Sequence, residues 1–366
     1  MRVMFRECSR SLAPFFYYTP LAVTWYSWYL FTTHGWGNAY VWANLIYVVG
    51  VVSLADALLG PTEDGIYEPL TGPSIRARDW LYKAILVSAV PLFALMVWWS
   101  CRVYASEDFT PVETVAWVLS TGLLTTLLGH DAAHELIHKT NRTLQTLGGI
   151  LFGLALYGGA KVSHIRSHHV LVGTRQDPTT ARLGQSLYAF LPGALGVNLW
   201  GAWQVQRRVL TPRGISLLSL KNELMIWGLI SVATLGCVFG LFGTATLAFF
   251  LAQSFVGASL LEMCNYAGHY GLVRRRLPDG RYEPVSLRHA WNCDYVLNNL
   301  ISLNVQRHPD HHKHGPRDYQ LLRHFDQSPQ LPQGYSALVF IVFIPALWRR
   351  YMDPLVARAN QVEDVT

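Results

Sequence analysis

The stretch TVAWVLSTGLLTTLLGHDAAHELIHK, residues 114–139, joins a long apolar segment to a cluster of histidines. Residues 114–130 carry no charged side chain and are long enough to cross most of a bilayer. Three histidines follow at four-residue intervals, which places them on one face of a helix. The sequence therefore predicts a membrane-spanning helix that ends in a polar, histidine-rich site.

Charge-free runs of the same kind recur along the chain. Residues 11–55 and 224–261 contain no Asp, Glu, Lys or Arg, and each run can hold two spans joined by a turn. Residues 84–101 pair with residues 114–130 as a third hairpin. With 51% hydrophobic and 14% charged residues, the chain is too apolar for an ordinary soluble protein. We therefore predict an all-α integral membrane fold, a bundle of six transmembrane helices.

The arginines near the N-terminus set the expected orientation. Arg2, Arg6 and Arg10 precede the first span, and positive charge favours the cytoplasmic side of a membrane. An even number of spans returns the C-terminus to the same side. We expect a bacterial-type inner membrane protein with both termini and the histidine clusters in the cytoplasm.

The charged segments between the spans predict the domain organisation. Residues 161–222 and 269–333 carry most of the charges and many prolines, so we expect them to form a cytoplasmic cap. No internal repeat or low-complexity tract divides the chain. Residues 1–353 are predicted to form a single membrane domain, followed by a C-terminal tail of residues 354–366.

The chain has 14 histidines, and nine of them lie in four compact groups. Residues four apart share a helix face, so HELIHK and HIRSHH each place two imidazoles where they could hold one ion. In the second motif this pairs His164 with His168 and turns His169 toward a second ion. Nine imidazoles are too many for one ion and suit two. The candidate ligands are His134, His138, His164, His168, His169, His269, His308, His311 and His312.

The ligand type does not by itself choose the metal. Imidazole binds zinc, copper, iron and nickel, whereas a structural zinc site is closed by four ligands. Two redox-active ions with open positions could bind dioxygen and attack an unactivated C–H bond. The HExxH spacing also matches a zinc protease, but that interpretation leaves seven histidines unexplained. A metal transporter would spread its ligands across the membrane, whereas these gather on one side.

The motifs HELIHK, HIRSHH, NYAGHYGL and NVQRHPDHHKH resemble the histidine boxes of the membrane alkane hydroxylase family. That family is related to the xylene monooxygenases and more distantly to the fatty-acid desaturases. Flanking segments such as QDPTTARLGQSLYAF and YQLLRHFDQSPQLPQGY also match, and the similarity covers about residues 50–353. The resemblance implies a non-haem di-iron centre held by the nine histidines. The chain departs from the family at Ser163 and Gly268, where glutamate is common.

The resemblance also implies an activity, namely O2-dependent hydroxylation of the terminal methyl group of an alkane to a 1-alkanol. Two electrons would come from NAD(P)H through a reductase and rubredoxin. None of the five cysteines forms a CxxC pair, so rubredoxin is expected to be a separate protein. The departures at Ser163 and Gly268 leave open an aromatic methyl substrate, as in xylene monooxygenases. A fatty-acyl desaturase or hydroxylase is a further alternative.

The charge pattern predicts the partners. Because rubredoxins are generally acidic, the docking face is expected to be basic and close to the histidines. The available charges are Arg274, Arg275, Arg276, Lys313, Arg317, Arg349 and Arg350. The net charge of +6 also suits contact with membrane lipid headgroups, and no nucleic-acid partner is expected.

Five further residues beside the boxes are candidates to hydrogen-bond the ligating histidines. Carboxylates commonly accept a hydrogen bond from the ring nitrogen that does not bind metal. The alternative for the carboxylates is helix capping or pairing with Lys139, Arg166 or Arg307, and His130 could instead be a tenth ligand. The five residues are His130, Asp131, Glu135, Asp177 and Asp310.

Overall fold

The computed structural model describes residues 12–62 and 73–361, with side chains from residue 79 onward in the second range. Within these ranges helices dominate, and the only β pairing is three isolated bridges. The all-α prediction is confirmed for the described residues. Arg2, Arg6 and Arg10, on which the expected membrane orientation depends, lie outside the described residues. The main helices are α1 (Thr19–His34), α2 (Ala39–Leu59), α3 (Pro73–Ser106), α4 (Pro111–Ile137), α5 (Arg142–Leu154), α6 (160–171), α7 (187–210), α8 (Glu223–His269), α9 (Val296–Ile301), α10 (His308–Lys313), α11 (Tyr335–Val342) and α12 (Pro345–Gln361).

Four of the described helices are long and apolar enough to cross a membrane: α2, most of α3, α4 and α8. Helix α8 has 47 residues and would be about 70 Å long if continuous, more than twice the thickness of a hydrocarbon core. It is interrupted at Gly243, whose φ of 80° and ψ of −174° are not helical. Two helices therefore meet at Gly243, within the charge-free run of residues 224–261 that is expected to hold two spans joined by a turn. Helix α1 has 16 residues and ends at Gly35, which has a φ of 67°.

Small residues bring α4 and the second half of α8 into close contact. A Cβ added at Gly122 would lie 2.5 Å from Cγ1 of Val256, and one at Gly257 would lie 2.7 Å from Cγ2 of Thr125. The Thr125 hydroxyl also donates a 2.6 Å hydrogen bond to Gln253. Close backbone approach with hydrogen bonds between helices is the usual way for helices to pack in lipid. This contact aligns the ends of the two helices, where the first and third histidine groups lie.

A buried carboxylate ties α2 to the segment that carries the last histidine group. Asp56 accepts hydrogen bonds of 2.8 Å from the backbone amides of Leu297 and Asn298, at the start of α9. It also accepts one of 2.7 Å from the Asn298 side chain. Carboxylates stabilise helix N-termini because the first amides have no partner within the helix. Asp56 therefore has a structural role, as a cap of helix α9.

The C-terminal helix α12 packs against the segment that follows the single histidine. Val356 is fully buried, and a Cβ added at Gly271 would lie 2.7 Å from its Cγ1 atom. Tyr270 donates a 2.7 Å hydrogen bond to Asp353. Helix α12 runs through the boundary expected between residues 353 and 354, and residues 354–361 are helical.

Candidate metal centre

The nine histidines of the four sequence motifs lie together in two adjoining groups at one end of the bundle. In each group one nitrogen per ring lies within 4.8 Å of the corresponding nitrogen of every other member. The first group has five histidines and the second has four. The five-histidine group contains His134, His138, His164, His169 and His311, and the four-histidine group contains His168, His269, His308 and His312.

Three helices supply the five-histidine group. The end of α4 contributes two rings, α6 contributes two, and α10 contributes His311. The Nε2 atom of His169 lies 3.0 Å from that of His164 and 3.2 Å from that of His311. His138, His164 and His169 are half-buried, while the other two rings are buried. The group therefore has one side close to the protein surface.

The pairing of histidines within α6 differs from the prediction. The i,i+4 rule pairs His164 with His168, but the structure pairs His164 with His169, and His168 belongs to the other group. The cause is the backbone, because residues 164–168 form a π-helical turn with i→i+5 hydrogen bonds. In such a turn residues five apart lie on the same face. The predicted pairing of His164 with His168 is therefore wrong, and the turn sends adjacent rings to different groups.

The four-histidine group converges more tightly. The Nε2 atoms of His269, His308 and His312 form a triangle with sides of 2.9, 3.1 and 3.1 Å. Nε2 of His168 is buried without a hydrogen-bond partner among the described residues. Four nitrogens at 2.0–2.1 Å from one ion in a tetrahedron would be about 3.3 Å apart. The spacing of this group therefore fits a single transition-metal ion.

Contacts behind the rings favour the form of imidazole that binds metal. Nδ1 of His269 lies 3.0 Å from the carbonyl oxygen of His289, to which it can only donate a hydrogen. A neutral ring that donates through Nδ1 has a free electron pair on Nε2. The Nε2 atom of His269 then faces its neighbours as a ligand, in agreement with the fit of the group to a metal ion.

Burial keeps these rings neutral. Burial and the neighbouring imidazoles lower the pKa of His164, His169 and His312 well below the ordinary value. The same causes lower the pKa of His308 to about 3. Desolvation disfavours the charged form, and each further protonated ring would repel the others. The rings therefore offer lone pairs, and not positive charges, to the space between them.

Among the candidate carboxylates, Asp177 contacts one of the nine rings, that of His168. Its Oδ2 atom lies 2.8 Å from Nδ1 of His168. The hydroxyl groups of Thr179 and Thr180 donate hydrogen bonds of 2.6 and 2.7 Å to the same carboxylate. Although burial favours the neutral acid, His168 and these hydroxyls lower the pKa of Asp177. Asp177 is therefore placed to orient His168.

Glu135 and Asp310 contact cations and backbone amides instead of the nine rings. Glu135 forms a buried ion pair with Lys139 and accepts a 2.9 Å hydrogen bond from the amide of Tyr319. Asp310 pairs with Arg317 and accepts a 2.9 Å hydrogen bond from the amide of Arg323. Both carboxylates thereby fix the loop after α10 to the histidine helices. For Glu135, the structure thus shows the ion pair with Lys139, which the sequence analysis gives as the alternative to a hydrogen bond with a ligating histidine.

His130 and Asp131 lie next to the two groups but belong to neither. The His130 ring is buried and stacks on Phe152 at a centroid distance of 5.7 Å. Asp131 is buried beside the histidines and forms no hydrogen bond or ion pair with another described residue. Its carboxylate lines a small space, the histidine chamber, and also an apolar cavity next to that chamber. The histidine chamber is bordered by His134, His164, His168 and His308.

A buried network that sequence analysis missed lies beside the chamber. Glu262, in the second half of α8, accepts hydrogen bonds of 2.6 Å from Tyr157 and 3.0 Å from Asn198 and Asn265. The hydroxyl of Ser163 donates to Asn198, so the residue that replaces the common glutamate is part of this network. The signal was present, because Glu262 is the one charged residue between positions 224 and 273. An ionisable residue within an apolar helix is a functional candidate by default.

An apolar cavity of about 460 Å³ adjoins the chamber. Side chains from α2, α4, α7, α8, α9 and α11 line it, and most of them are apolar. The cavity and the chamber share four lining residues, Asp131, Cys264, Val305 and Tyr335. These four residues form the wall between the two spaces. The volume lies within the range of about 300–1,000 Å³ that is usual for small-molecule sites.

Comparison with known proteins identifies related sequences. Residues 110–340 match the family model described as fatty acid desaturase. The chain is 40% identical to alkane 1-monooxygenase 2 of Pseudomonas aeruginosa over 320 residues, which are 87% of this chain and 85% of that protein. It is 34% identical to alkane 1-monooxygenase of Pseudomonas putida over 96% of this chain and 88% of that protein. It is 26% identical to the xylene/toluene monooxygenase hydroxylase component of Pseudomonas putida, over 68% and 64% of the two chains.

Proposed function

Because this chain belongs to the alkane 1-monooxygenase family, within the wider fatty acid desaturase family, we propose that it hydroxylates the terminal methyl group of alkanes. It is a membrane monooxygenase, and the reaction converts RCH3, O2, two electrons and two protons to RCH2OH and H2O. The observation that carries the proposal is the apolar cavity, which ends at the wall of the histidine chamber. A hydrocarbon has no polar group to recognise, so an apolar cavity that reaches the reaction site is what its binding requires.

The cofactor in this proposal is a pair of iron ions. The five-histidine group would hold one iron and the four-histidine group the other. Bound irons would supply the redox chemistry that reduces O2 and oxidises the C–H bond. Imidazole suits iron as well as zinc or copper. Zinc has no redox chemistry, whereas this reaction requires a redox-active metal.

The protein residues position and shield the site. Asp177 orients His168, and the carbonyl oxygen of His289 orients His269. The cavity walls exclude water from the substrate, which keeps a reactive oxidant from reaching solvent. The Glu262 network holds α6, α7 and α8 against one another beside the chamber. In this proposal no side chain acts as a nucleophile or general base.

The proposed membrane arrangement has six spans. Support comes from the four apolar helices, from the break at Gly243 and from α1, which follows the 3₁₀-helix Ala13–Tyr18. The histidine end would face the cytoplasm of a bacterial inner membrane, with residues 161–222 and 269–333 as the cap. Residues 1–353 would then act as one membrane domain.

The electrons in this proposal come from NAD(P)H through a reductase and a separate rubredoxin. The support is the half-buried side of the five-histidine group, which includes His138, His164 and His169. Lys313 is exposed immediately after the last histidine of α10. A small acidic carrier could approach the chamber there without entering the bilayer.

The test is to express the chain in cells that lack other alkane oxidation and supply octane, dodecane and p-xylene under 18O2. We expect 1-alkanols that carry one 18O atom per molecule, and no product without oxygen. A benzylic alcohol from p-xylene with no alkanol would assign the chain the aromatic methyl substrate instead. Unsaturated fatty acids without either alcohol would indicate a desaturase, and protein cleavage with bound zinc would indicate a protease.

A further inference from the structure

Two buried polar groups lie at the wall between the apolar cavity and the histidine chamber. Tyr335 is 7% exposed, and its hydroxyl group has no hydrogen-bond partner among the described residues. Asp131 is 4% exposed and likewise forms no hydrogen bond or ion pair with another described residue. Leaving a buried polar group without a partner costs about 1–3 kcal/mol. Two such groups that line the same two spaces therefore indicate a site that receives a polar ligand.

The two groups face the same space. Both residues line the chamber and the cavity. Among the described residues, only Cys264 and Val305 also line both spaces. Burial raises the pKa of Tyr335, and Cys264, Cys293 and Asp131 add to the shift, so its hydroxyl stays protonated. The Tyr335 hydroxyl offers a hydrogen-bond donor, and the carboxyl oxygens of Asp131 offer acceptors.

Gly268 lets the tyrosine hydroxyl approach the histidine-bearing end of α8 closely. A Cβ at this position would lie 3.1 Å from the hydroxyl oxygen of Tyr335 and 3.0 Å from Cδ2 of His308. A larger side chain would therefore have to displace the Tyr335 hydroxyl or the His308 ring. The tyrosine hydroxyl can take this position at the wall because residue 268 is a glycine and not a glutamate.

We propose that Tyr335 and Asp131 form a binding site for the hydroxyl group of a primary alcohol whose alkyl chain occupies the apolar cavity. The Tyr335 hydroxyl donates to the alcohol oxygen, and the alcohol hydroxyl donates to Asp131. This inference rests on the proposed function, because the alcohol is the product of alkane hydroxylation. Such a site moves the new hydroxyl group away from the histidines, and it makes the protein bind 1-alkanols more tightly than alkanes of the same length.

The site has a matched control in the same cavity. The hydroxyl of Ser259 is also buried without a partner among the described residues, but Ser259 lines only the apolar cavity and not the chamber. If any unpaired hydroxyl in the cavity could bind the alcohol, Ser259 and Tyr335 would contribute equally. If the wall is the site, only Tyr335 and Asp131 contribute.

The experiment measures equilibrium binding of radiolabelled 1-dodecanol and dodecane to the full chain in nanodiscs, with empty nanodiscs subtracted. The variants are Tyr335→Phe, Asp131→Asn, Asp131→Leu and Ser259→Ala, and the metal content of each is measured. One hydrogen bond contributes about 0.5–1.5 kcal/mol, so Tyr335→Phe and Asp131→Leu should weaken dodecanol binding about 2- to 13-fold. Dodecane binding should stay within about 2-fold, and Asp131→Asn should retain most of the alcohol affinity because its amide oxygen still accepts.

The proposal is overturned if Tyr335→Phe weakens both ligands equally, or if Ser259→Ala weakens dodecanol binding as much as Tyr335→Phe does. Equal affinity of wild type for the two ligands would also overturn it. Failure of the alkane hydroxylase proposal would appear separately, as a wild-type protein that forms no alkanol from any alkane. Binding to the resting protein needs no turnover, so the two results are independent.

Discussion

Nδ1 of His168 lies 2.8 Å from Oδ2 of Asp177, and His168 is the only one of the nine clustered histidines that contacts a carboxylate among the described residues. Two threonine hydroxyls donate hydrogen bonds to the carboxylate, and that of Thr179 also lies 2.7 Å from Nδ1 of His168. Because one ring nitrogen is held by Asp177, the other faces the remaining members of the four-histidine group. The orientation of one ligand thus depends on a residue nine positions along the chain.

Asp177→Asn should weaken metal binding by the four-histidine group about 10- to 100-fold, because such carboxylates orient the ligand and raise its basicity. Competition with a chelator of known affinity measures the loss. Asp310→Asn is the matched control, since Asp310 is equally buried but contacts Arg317 and His314. Equal metal affinity in the two variants would show that the contact with His168 has no role in metal binding.

Each histidine group should bind its own ion, because no histidine belongs to both groups. Purified protein is expected to contain about two irons and little zinc. His138→Ala and His269→Ala, one from each group, should each reduce the iron content toward one and abolish hydroxylation. Elemental analysis of folded protein in nanodiscs makes the measurement. Full activity with stoichiometric zinc, or two irons retained in either variant, would contradict the assignment.

Glu135→Gln tests the buried ion pair with Lys139. The side chains are 4% and 8% exposed, and Lys139 keeps a second partner in Asp318. Hydrogen bonds to charged groups contribute about 1.5–3 kcal/mol, so we expect a lower thermal transition temperature with both metals retained. A zinc protease would respond differently, because its glutamate is the general base. Proteolysis by the wild type that Glu135→Gln abolishes would favour that alternative.

Cys264→Phe should keep a substrate in the cavity from reaching the chamber. Cys264 lines both spaces, whereas Leu123 lines only the cavity. We therefore expect Cys264→Phe to abolish hydroxylation of alkanes of every length. Leu123→Phe should narrow the cavity and reduce hydroxylation of the longest alkanes only. Overpacking costs about 1–3 kcal/mol, so metal content is measured to verify folding. The same chain-length profile in both variants would argue against the cavity as the substrate site.

Much of the architecture follows from charge spacing alone. The charge-free runs predicted the apolar helices, because a charge at the bilayer centre is costly and a span needs about 20 residues. The break in α8 at Gly243 lies within the longest such run of the second half of the chain, which is expected to hold two spans. The nine histidines were found from their grouping, which is rare unless a metal is bound. Local sequence is sufficient for these features, since each depends on one segment.

Features that depend on several segments could not be predicted. The pairing of His164 with His169 requires a π-helical turn, and its backbone hydrogen bonds leave no pattern in side-chain spacing. The role of Glu262 depends on Tyr157 and Asn198, which come from distant parts of the chain. Asp177 and Glu135 both lie beside histidine boxes, but only the structure distinguishes a contact with a ring from an ion pair with Lys139.

The structure also separates the basic residues expected to bind an electron carrier. Arg317 pairs with buried Asp310, and Arg274 donates hydrogen bonds to the carbonyl groups of Glu283 and Val170. Reversing either charge would disturb the local fold that these contacts hold together. Lys313 is exposed beside the last histidine group, so it can be changed without breaking such contacts. The test of docking therefore moves to Lys313.

Lys313→Glu should slow hydroxylation driven by reduced rubredoxin several-fold at low salt and leave a single turnover of dithionite-reduced protein unchanged. Charge steering weakens as salt screens it, with a Debye length of about 8 Å at 0.15 M, so wild type and variant should converge as salt is raised. Arg102→Glu is the control, because Arg102 is exposed near the end of α3 that leads into the start of α4, away from the histidine end of α4. Equal slowing in both assays would indicate a folding or metal defect. Equal effects of the two variants on the rubredoxin-driven rate would place the docking surface elsewhere.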